Sequence, residues 1–199
     1  VHVSTEVQRP AVRLCTAADV ERYSRFTDLQ ASRAQERFTS ALRKARVNAG
    51  LAESEVDLQA SGDGEFAVLP PGIDETEVIP RFVAELTIAL REVNADLSDH
   101  ARLRLRVAMH RGLLAPGVCG WVGTSAIAVH RLLDSPAARS ALAEHPDADF
   151  ALIVGDTLYR DVIAHGHRGL SAGSFREVVV EIPAKRFSEV AWVHLGRSW

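Results

Sequence analysis

Lysine is nearly missing from this chain of 199 residues: of 23 basic residues only Lys44 and Lys185 are lysine, and the rest are arginine. A bias toward arginine codons accounts for the pattern and singles out the two positions that kept lysine. Cysteine is scarce too. Cys15 and Cys119 lie in or beside apolar stretches, without CxxC spacing or a histidine at zinc-finger distance, so they read as buried, reduced thiols. An excess of positive charge is absent. The net charge of -3 and pI near 6.3 argue against a strongly basic nucleic-acid binder, so no nucleic acid polymer is expected as partner. No apolar run approaches the ~20 residues of a membrane span. Residues 1–10 (VHVSTEVQRP) lack the apolar core of a signal peptide, so the expected location is cytoplasmic. P-loop, HExxH, GxSxG and GxGxxG motifs are absent as well.

The remaining composition, 47% hydrophobic and 25% charged, is that of one ordinary folded domain. Residues 1–10 read as a lead-in and 11–199 as a single domain. Ala11–Ala17 predicts a strand. Residues 28–49 predict a helix, with Leu29, Ala34, Phe38, Leu42 and Ala45 at helical spacing and Gly50 ending it. Glu55–Ala60 and Glu65–Leu69 predict two strands joined by the turn Ser61-Gly62-Asp63-Gly64. Asp74–Asn94 predicts a second long helix, and Leu103–Met109 a further strand. Beyond the glycine-punctuated RGLLAPGVCGWVG come helices at Thr124–Leu133 and after Pro136, a strand at Phe150–Val154 and a helix from Asp156 to about His165. A hairpin of Phe175–Ile182 and Glu189–Leu195 closes the order. The first six elements run β-α-β-β-α-β, the order of a ferredoxin-like, palm-type α+β core. The expected fold is therefore a single, mostly antiparallel sheet with helices mainly on one face.

In that order the first and third strands are central neighbours. Asp19, following the first strand, and Asp63, at the tip of the hairpin turn, then converge at one edge of the sheet. Convergent carboxylates suit hard cations such as Mg2+, which prefer oxygen ligands. Asp is also common in turns, which is the structural alternative.

Four segments in order resemble the class III nucleotidyl cyclase catalytic domain. Asp19-Val20-Glu21-Arg22-Tyr23-Ser24 is similar to its first metal motif. Gly62-Asp63-Gly64-Glu65-Phe66-Ala67-Val68 is similar to its second. Arg106–Gly112 (RVAMHRG) resembles its Arg-[Val/Ile]-Gly-[Ile/Met]-His-x-Gly strand, and Gly117–Leu132 its glycine-rich stretch and following helix. The likeness runs from about Val12 to Leu195. It implies that Asp19 and Asp63 hold two ions, Mg2+ or Mn2+. It also implies that the backbone around Tyr23 and Ser24 wraps the phosphates of a nucleoside triphosphate, and that Lys185 binds the triphosphate. Arg131 would neutralise charge on the phosphoryl group in the transition state. A homodimer with shared active sites is implied too, the aspartates coming from one copy and the helix arginine from the other.

The departures lie at the base. Where purine-specific members have a lysine and an acidic residue, this chain has Gln59 and Gly120. The family's helix asparagine is Ile127 here. Gln59 can still donate to and accept from a base edge, whereas Ile127 cannot orient a ribose. A divergent branch of the family makes cyclic pyrimidine nucleotides, notably cyclic UMP, as bacterial anti-phage alarm signals. Loss of the purine-reading pair beside two retained aspartates fits that branch, and GDGEFAVLPPG resembles its actinobacterial relatives. The expected reaction is UTP to cyclic UMP and pyrophosphate. The alternatives are an inactive cyclase-like domain that binds a nucleotide or a partner, and an interaction module without a nucleotide site. Among the other residues, His165 and His167 read as surface histidines and His110 as locally bonded. Trp121 reads as stacking on a base or sealing an interface. Glu75/Glu77 and Asp147/Asp149 read as solvated charges, Lys44 as exposed, and Trp199 as exposed.

Overall fold

The computed structural model describes residues 9–197. Most of the expected lead-in (residues 1–8) and Trp199 lie outside them. The strands are β1 (Ala11–Val20), β2 (Asp57–Ser61), β3 (Gly64–Val68), β4 (Leu105–Gly117), β5 (Gly120–Val122), β6 (Ala148–Gly155), β7 (Phe175–Ile182) and β8 (Phe187–Arg197). The helices are α1 (Asp28–Asn48), α2 (Glu75–Asn94), α3 (Thr124–Leu133), α4 (Pro136–Glu144) and α5 (Asp156–Asp161). The sheet order is β2-β3-β1-β4-β6-β8-β7, with β5 folded back on β4. Every pairing is antiparallel except β4 with β6. The expected α+β architecture and its β-α-β-β-α-β start are both present.

Alternation along the strands divides the core. Leu14, Ala18 and Val20 of β1 and Leu105, Val107 and Met109 of β4 join one apolar cluster with Phe38, Leu42, Ile79 and Leu86 of α1 and α2. Cys15 and Ala17 of β1 and Ala108 of β4 face the other way, into a cluster with Val129, Leu132 and Leu142 of α3 and α4. The two long helices thus cover one face, and the two short ones cover part of the other. A capping box of Thr27 and Gln30 starts α1, and Asp74 accepts from the Thr76 N–H to start α2.

Several expectations need correction. The first strand does not stop at Ala17. It continues to Val20 because Ala18, Asp19 and Val20 pair with β4 and Ala18 and Asp19 also pair with β3, so Asp19 lies inside the strand. The strand expected to end at Met109 runs on to Gly117, and the glycine-punctuated stretch is its hairpin with β5. A Cβ on Gly112 would fall 2.1 Å from the Ser125 hydroxyl oxygen, so this glycine lets α3 sit against β4. Of the two thiols expected to be buried, Cys15 is, whereas Cys119 is exposed at the β4–β5 turn. Asp149 is not a solvated charge: it is 1% exposed, and Arg102 and Asn94 donate to it. Glu75 is not free either, since Arg111 donates to it at 2.9 Å.

Candidate active site

The register of β1 builds the acidic half of the site. Asp19 stands opposite Gly64 of β3 and Arg106 of β4. Asp63 occupies the β2–β3 turn, and its carbonyl accepts from the Val20 N–H at 3.0 Å. The two aspartates are therefore brought to one end of the sheet. By alternation Asp19 points to the α3 side, the face with the short helices. The Arg106 guanidinium donates twice to its carboxylate, Nε to Oδ1 at 2.8 Å and an Nη to Oδ2 at 2.5 Å. Side-chain exposure of this pair is 14% for Asp19 and 10% for Arg106. Burial pushes the Asp19 carboxyl above the usual carboxylate range, opposed by the Arg106 bonds, and nearby Asp63 and Asp134 add to the rise. A short turn, Tyr23–Arg25, follows β1 directly. Arg22 precedes it in the left-handed conformation, at φ 53°, and Tyr23 packs edge-on against Phe26.

These residues fit a hard cation by the chemistry of their donors. A carboxylate offers about four lone-pair sites, and a bidentate arginine uses two, so each Asp19 oxygen keeps one. Asp63 adds a second carboxylate. Among the described residues no group of three or more His, Cys, Asp or Glu side chains is arranged to hold an ion, so an ion held by the two aspartates would take its further ligands from backbone carbonyls, a substrate or water.

The second half is an open cleft on the same face, beside α3. Gln59, Trp121, Ile127, Arg131 and Lys185 line it, with Asp134 at its end. The Arg131 guanidinium lies over the Phe187 ring at 5.1 Å, and neither Arg131 nor Lys185 has a carboxylate partner among the described residues. Gly120 and Gln59 touch. Gly120 has φ +116°, and a Cβ there would lie 2.4 Å from the Gln59 amide nitrogen. The amide thus fills the space that a side chain at position 120 would need. Ile127 is half exposed on α3, with no polar group to offer.

The structure therefore collects Gln59, Gly120, Ile127, Arg131 and Lys185 in one place and Asp19, Asp63 and the Tyr23–Ser24 turn in another. Asp134, bound to Arg139 at 2.8 Å, stands between the halves. Sequence reasoning missed the roles of Arg106 and Asp134. Arg106 had a signal, since the alternation of LRLRVAM puts it on the same face as Asp19 once strands one and four are paired. Asp134 had none beyond its place at the end of α3. Elsewhere, His110 bonds Glu189 of β8 at 3.1 Å, and the Arg13 guanidinium lies over Trp121. Lys44 is ion-paired with Glu92.

No family model and no curated protein matches this sequence. Solved structures do. An adenylate/guanylate cyclase/hydrolase from Silicibacter pomeroyi aligns at TM-score 0.66 and 16% identity, over 93% of this chain and 96% of that one. The catalytic core of a rhodopsin-guanylyl cyclase with converted specificity, in complex with ATPalphaS, aligns at 0.58 and 15%, over 98% and 100%. A non-canonical dimeric guanylyl cyclase domain from the fungus Blastocladiella emersonii aligns at 0.57 and 13%, over 94% and 97%. Across nearly its whole length, the chain has the fold of adenylyl and guanylyl cyclase catalytic domains.

Proposed function

We propose that this protein is a nucleotidyl cyclase that converts a nucleoside triphosphate, with UTP preferred, to the 3′,5′-cyclic nucleotide and pyrophosphate. The observation that carries this reading is the register of β1 with β3 and β4. It sets Asp19 and Asp63 at one sheet end, with Asp19 on the face that also presents Arg131 and Lys185, cations without a carboxylate partner among the described residues. In this reading Asp19 and Asp63 would hold two divalent ions, Mg2+ or Mn2+, which would supply Lewis acidity toward the ribose 3′-hydroxyl and the triphosphate. The Tyr23–Ser24 turn wraps the phosphates and Lys185 binds their far end. Arg131 stabilises the negative charge that builds on the α-phosphoryl oxygens. The 3′-oxygen loses its proton to solvent and bonds to the α-phosphorus, and the bridging oxygen leaves with its electron pair in pyrophosphate.

Three further features support the finer points. The Gln59 amide over Gly120 offers one donor and one acceptor face and no charge, which suits a pyrimidine edge better than the lysine–acid pair of purine enzymes. Val12, Leu113, Val118, Val122 and Ile127 are exposed apolar side chains around β4, β5 and α3, a surface suited to a homodimer with sites shared across a two-fold axis. The described residues contain no helix long and apolar enough to cross a membrane, in keeping with a cytoplasmic enzyme. The product would act as an anti-phage defence signal.

A second reading is favoured by Ile127 and by the Arg106 clasp on Asp19: an inactive domain that binds a nucleotide or a partner. Incubation with ATP, GTP, CTP or UTP plus Mn2+ or Mg2+, followed by chromatography, separates the two. The cyclase reading expects one cyclic product, strongest with UTP. No product from any nucleotide refutes it, and a rise in melting temperature with UTP alone would then select the inactive binder.

A further inference from the structure

The far edge of the sheet, across β4 and β6 from the candidate active site, holds a recess of about 510 Å3, within the range of small-ligand pockets. It exists because β8 outruns β7. Phe175 opens β7 opposite His194, and the chain before it turns away through Ala172–Ser174. Leu195, Gly196 and Arg197 therefore pair with β6 alone, and the recess takes the place where β7 would continue. Ala141, Val193 and Leu195 give it an apolar floor, and the end of α4 brings His145 to its wall.

The charge around it is one-sided. No carboxylate is among the lining residues. Arg176 is exposed and has no ion-pair or hydrogen-bond partner among the described residues. Arg197 also lines the recess, but Asp147 offsets it, 3.0 Å from its Nε. One uncompensated guanidinium thus faces the recess, which matches a single negative charge better than the two of a phosphate monoester. A planar guanidinium takes a carboxylate through paired N–H bonds.

The two histidines of the wall ask for the reverse. Nδ1 of His145 lies 3.0 Å from the Ala141 carbonyl, which can only accept, so Nδ1 carries the proton. His194 reaches the same state by another route. Ser174 gives its hydroxyl hydrogen to the Ser171 carbonyl at 2.7 Å, so His194 Nδ1, 3.0 Å from that hydroxyl oxygen, donates to it. Burial pushes the His194 imidazole below its ordinary value, opposed by its bond to the Ser174 backbone, and this favours the neutral ring. In a neutral ring with its proton on Nδ1, Nε2 is an acceptor. Neither Nε2 has a partner among the described residues. The recess thus combines one free donor fork, two free acceptors and an apolar floor.

We propose that this recess binds a small hydroxycarboxylate, with its carboxylate on Arg176, its carbon body on Val193 and Leu195, and its hydroxyl donating to an imidazole Nε2. The site shares no residue with the candidate active site and does not rest on the cyclase reading.

Calorimetry tests it on the full chain at pH 8, with lactate, 3-hydroxybutyrate and 4-hydroxybenzoate as probes. At least one should bind saturably, with a dissociation constant on the order of 1 mM, as suits ligands of so few atoms. Failure of all three would overturn the proposal. Arg176→Gln should weaken the best probe about tenfold or more, and Arg43→Gln, which removes an exposed arginine of α1, less than about twofold. Equal losses would reduce the effect to net charge and overturn the site. Replacing the hydroxyl of the probe by hydrogen should cost about threefold or more in the wild type, and that cost should vanish in His145→Phe or in His194→Phe. Its persistence in both variants, or its absence from the wild type, would contradict the histidine contact. Inorganic phosphate binding as tightly as the best probe would make the recess a general anion site and sink the proposal as well. Melting temperatures check that each variant remains folded, and Arg176→Gln, at an exposed position, keeps the test open if a histidine variant does not.

Discussion

The two halves of the candidate site differ in how they are held. Asp19 sits inside β1, paired on both sides, and its carboxylate is clasped by Arg106. Asp63 is tied to the same strand through its carbonyl. The cleft half is drawn from β2, β5, short helix α3 and the connection before β8, and its cations Arg131 and Lys185 have no carboxylate partner among the described residues. The acidic half is set by strand register, which a single substitution does not move. The cleft half is side chains on an open surface, where residue type changes at little structural cost. Gln59 and Gly120 stand in the second half where the resemblance would put a lysine and an acidic residue, and Asp19 and Asp63 stand in the first.

Substitutions that break this contrast should rank accordingly. Asp63→Ala is expected to abolish cyclic-nucleotide formation, a fall of at least about a thousandfold, with the melting temperature nearly unchanged. Asp19→Ala should abolish it too, and should also destabilise the fold by about 1–3 kcal/mol, because Arg106 loses its partner in a mostly buried position. Denaturant unfolding of the two variants checks that difference, and equal stability would dissolve the clasp. Arg131→Ala should lower the rate about 100- to 1,000-fold with a small change in nucleotide affinity. An unchanged rate would remove Arg131 from the chemistry. Gln59→Ala should shift the preference between UTP and CTP by about tenfold or more without abolishing turnover, as expected for one base-edge contact. The smallest effect concerns the thiols. Burial pushes Cys15 up to about 12, whereas Cys119 is exposed. A thiol reagent near pH 8 should therefore modify one cysteine in the native protein and both after unfolding.

Much of this was legible in the sequence where a local pattern had a strong physical cause. The long helices α1 and α2 were readable from their apolar period, and the β2–β3 hairpin from Gly62-Asp63-Gly64. The convergence of Asp19 and Asp63 followed from element order. What escaped depended on partners far away in the chain. The extension of β1 over Ala18–Val20 is held by pairing with β3 and β4, which no local pattern announces. Asp149 looked solvated because its partners, Asn94 and Arg102, lie about fifty residues earlier, at the end of α2 and before β4. Cys119 looked buried because its apolar neighbours belong to a hairpin tip rather than to the core. The Gln59–Gly120 contact joins β2 to β5, which are not neighbours in the sheet, so it becomes visible only once the chain is folded.

Complementation tests directly whether the acidic half of one copy works with the cleft half of another. Asp63→Ala and Arg131→Ala proteins, each inactive or nearly so alone, are mixed in equal amounts, dissociated and reassociated, and assayed with UTP and Mn2+. In a two-fold dimer with shared sites, half of the randomly formed dimers are mixed, and each carries one intact site, so the mixture should recover about a quarter of wild-type activity. A mixture no more active than its two components would contradict the claim.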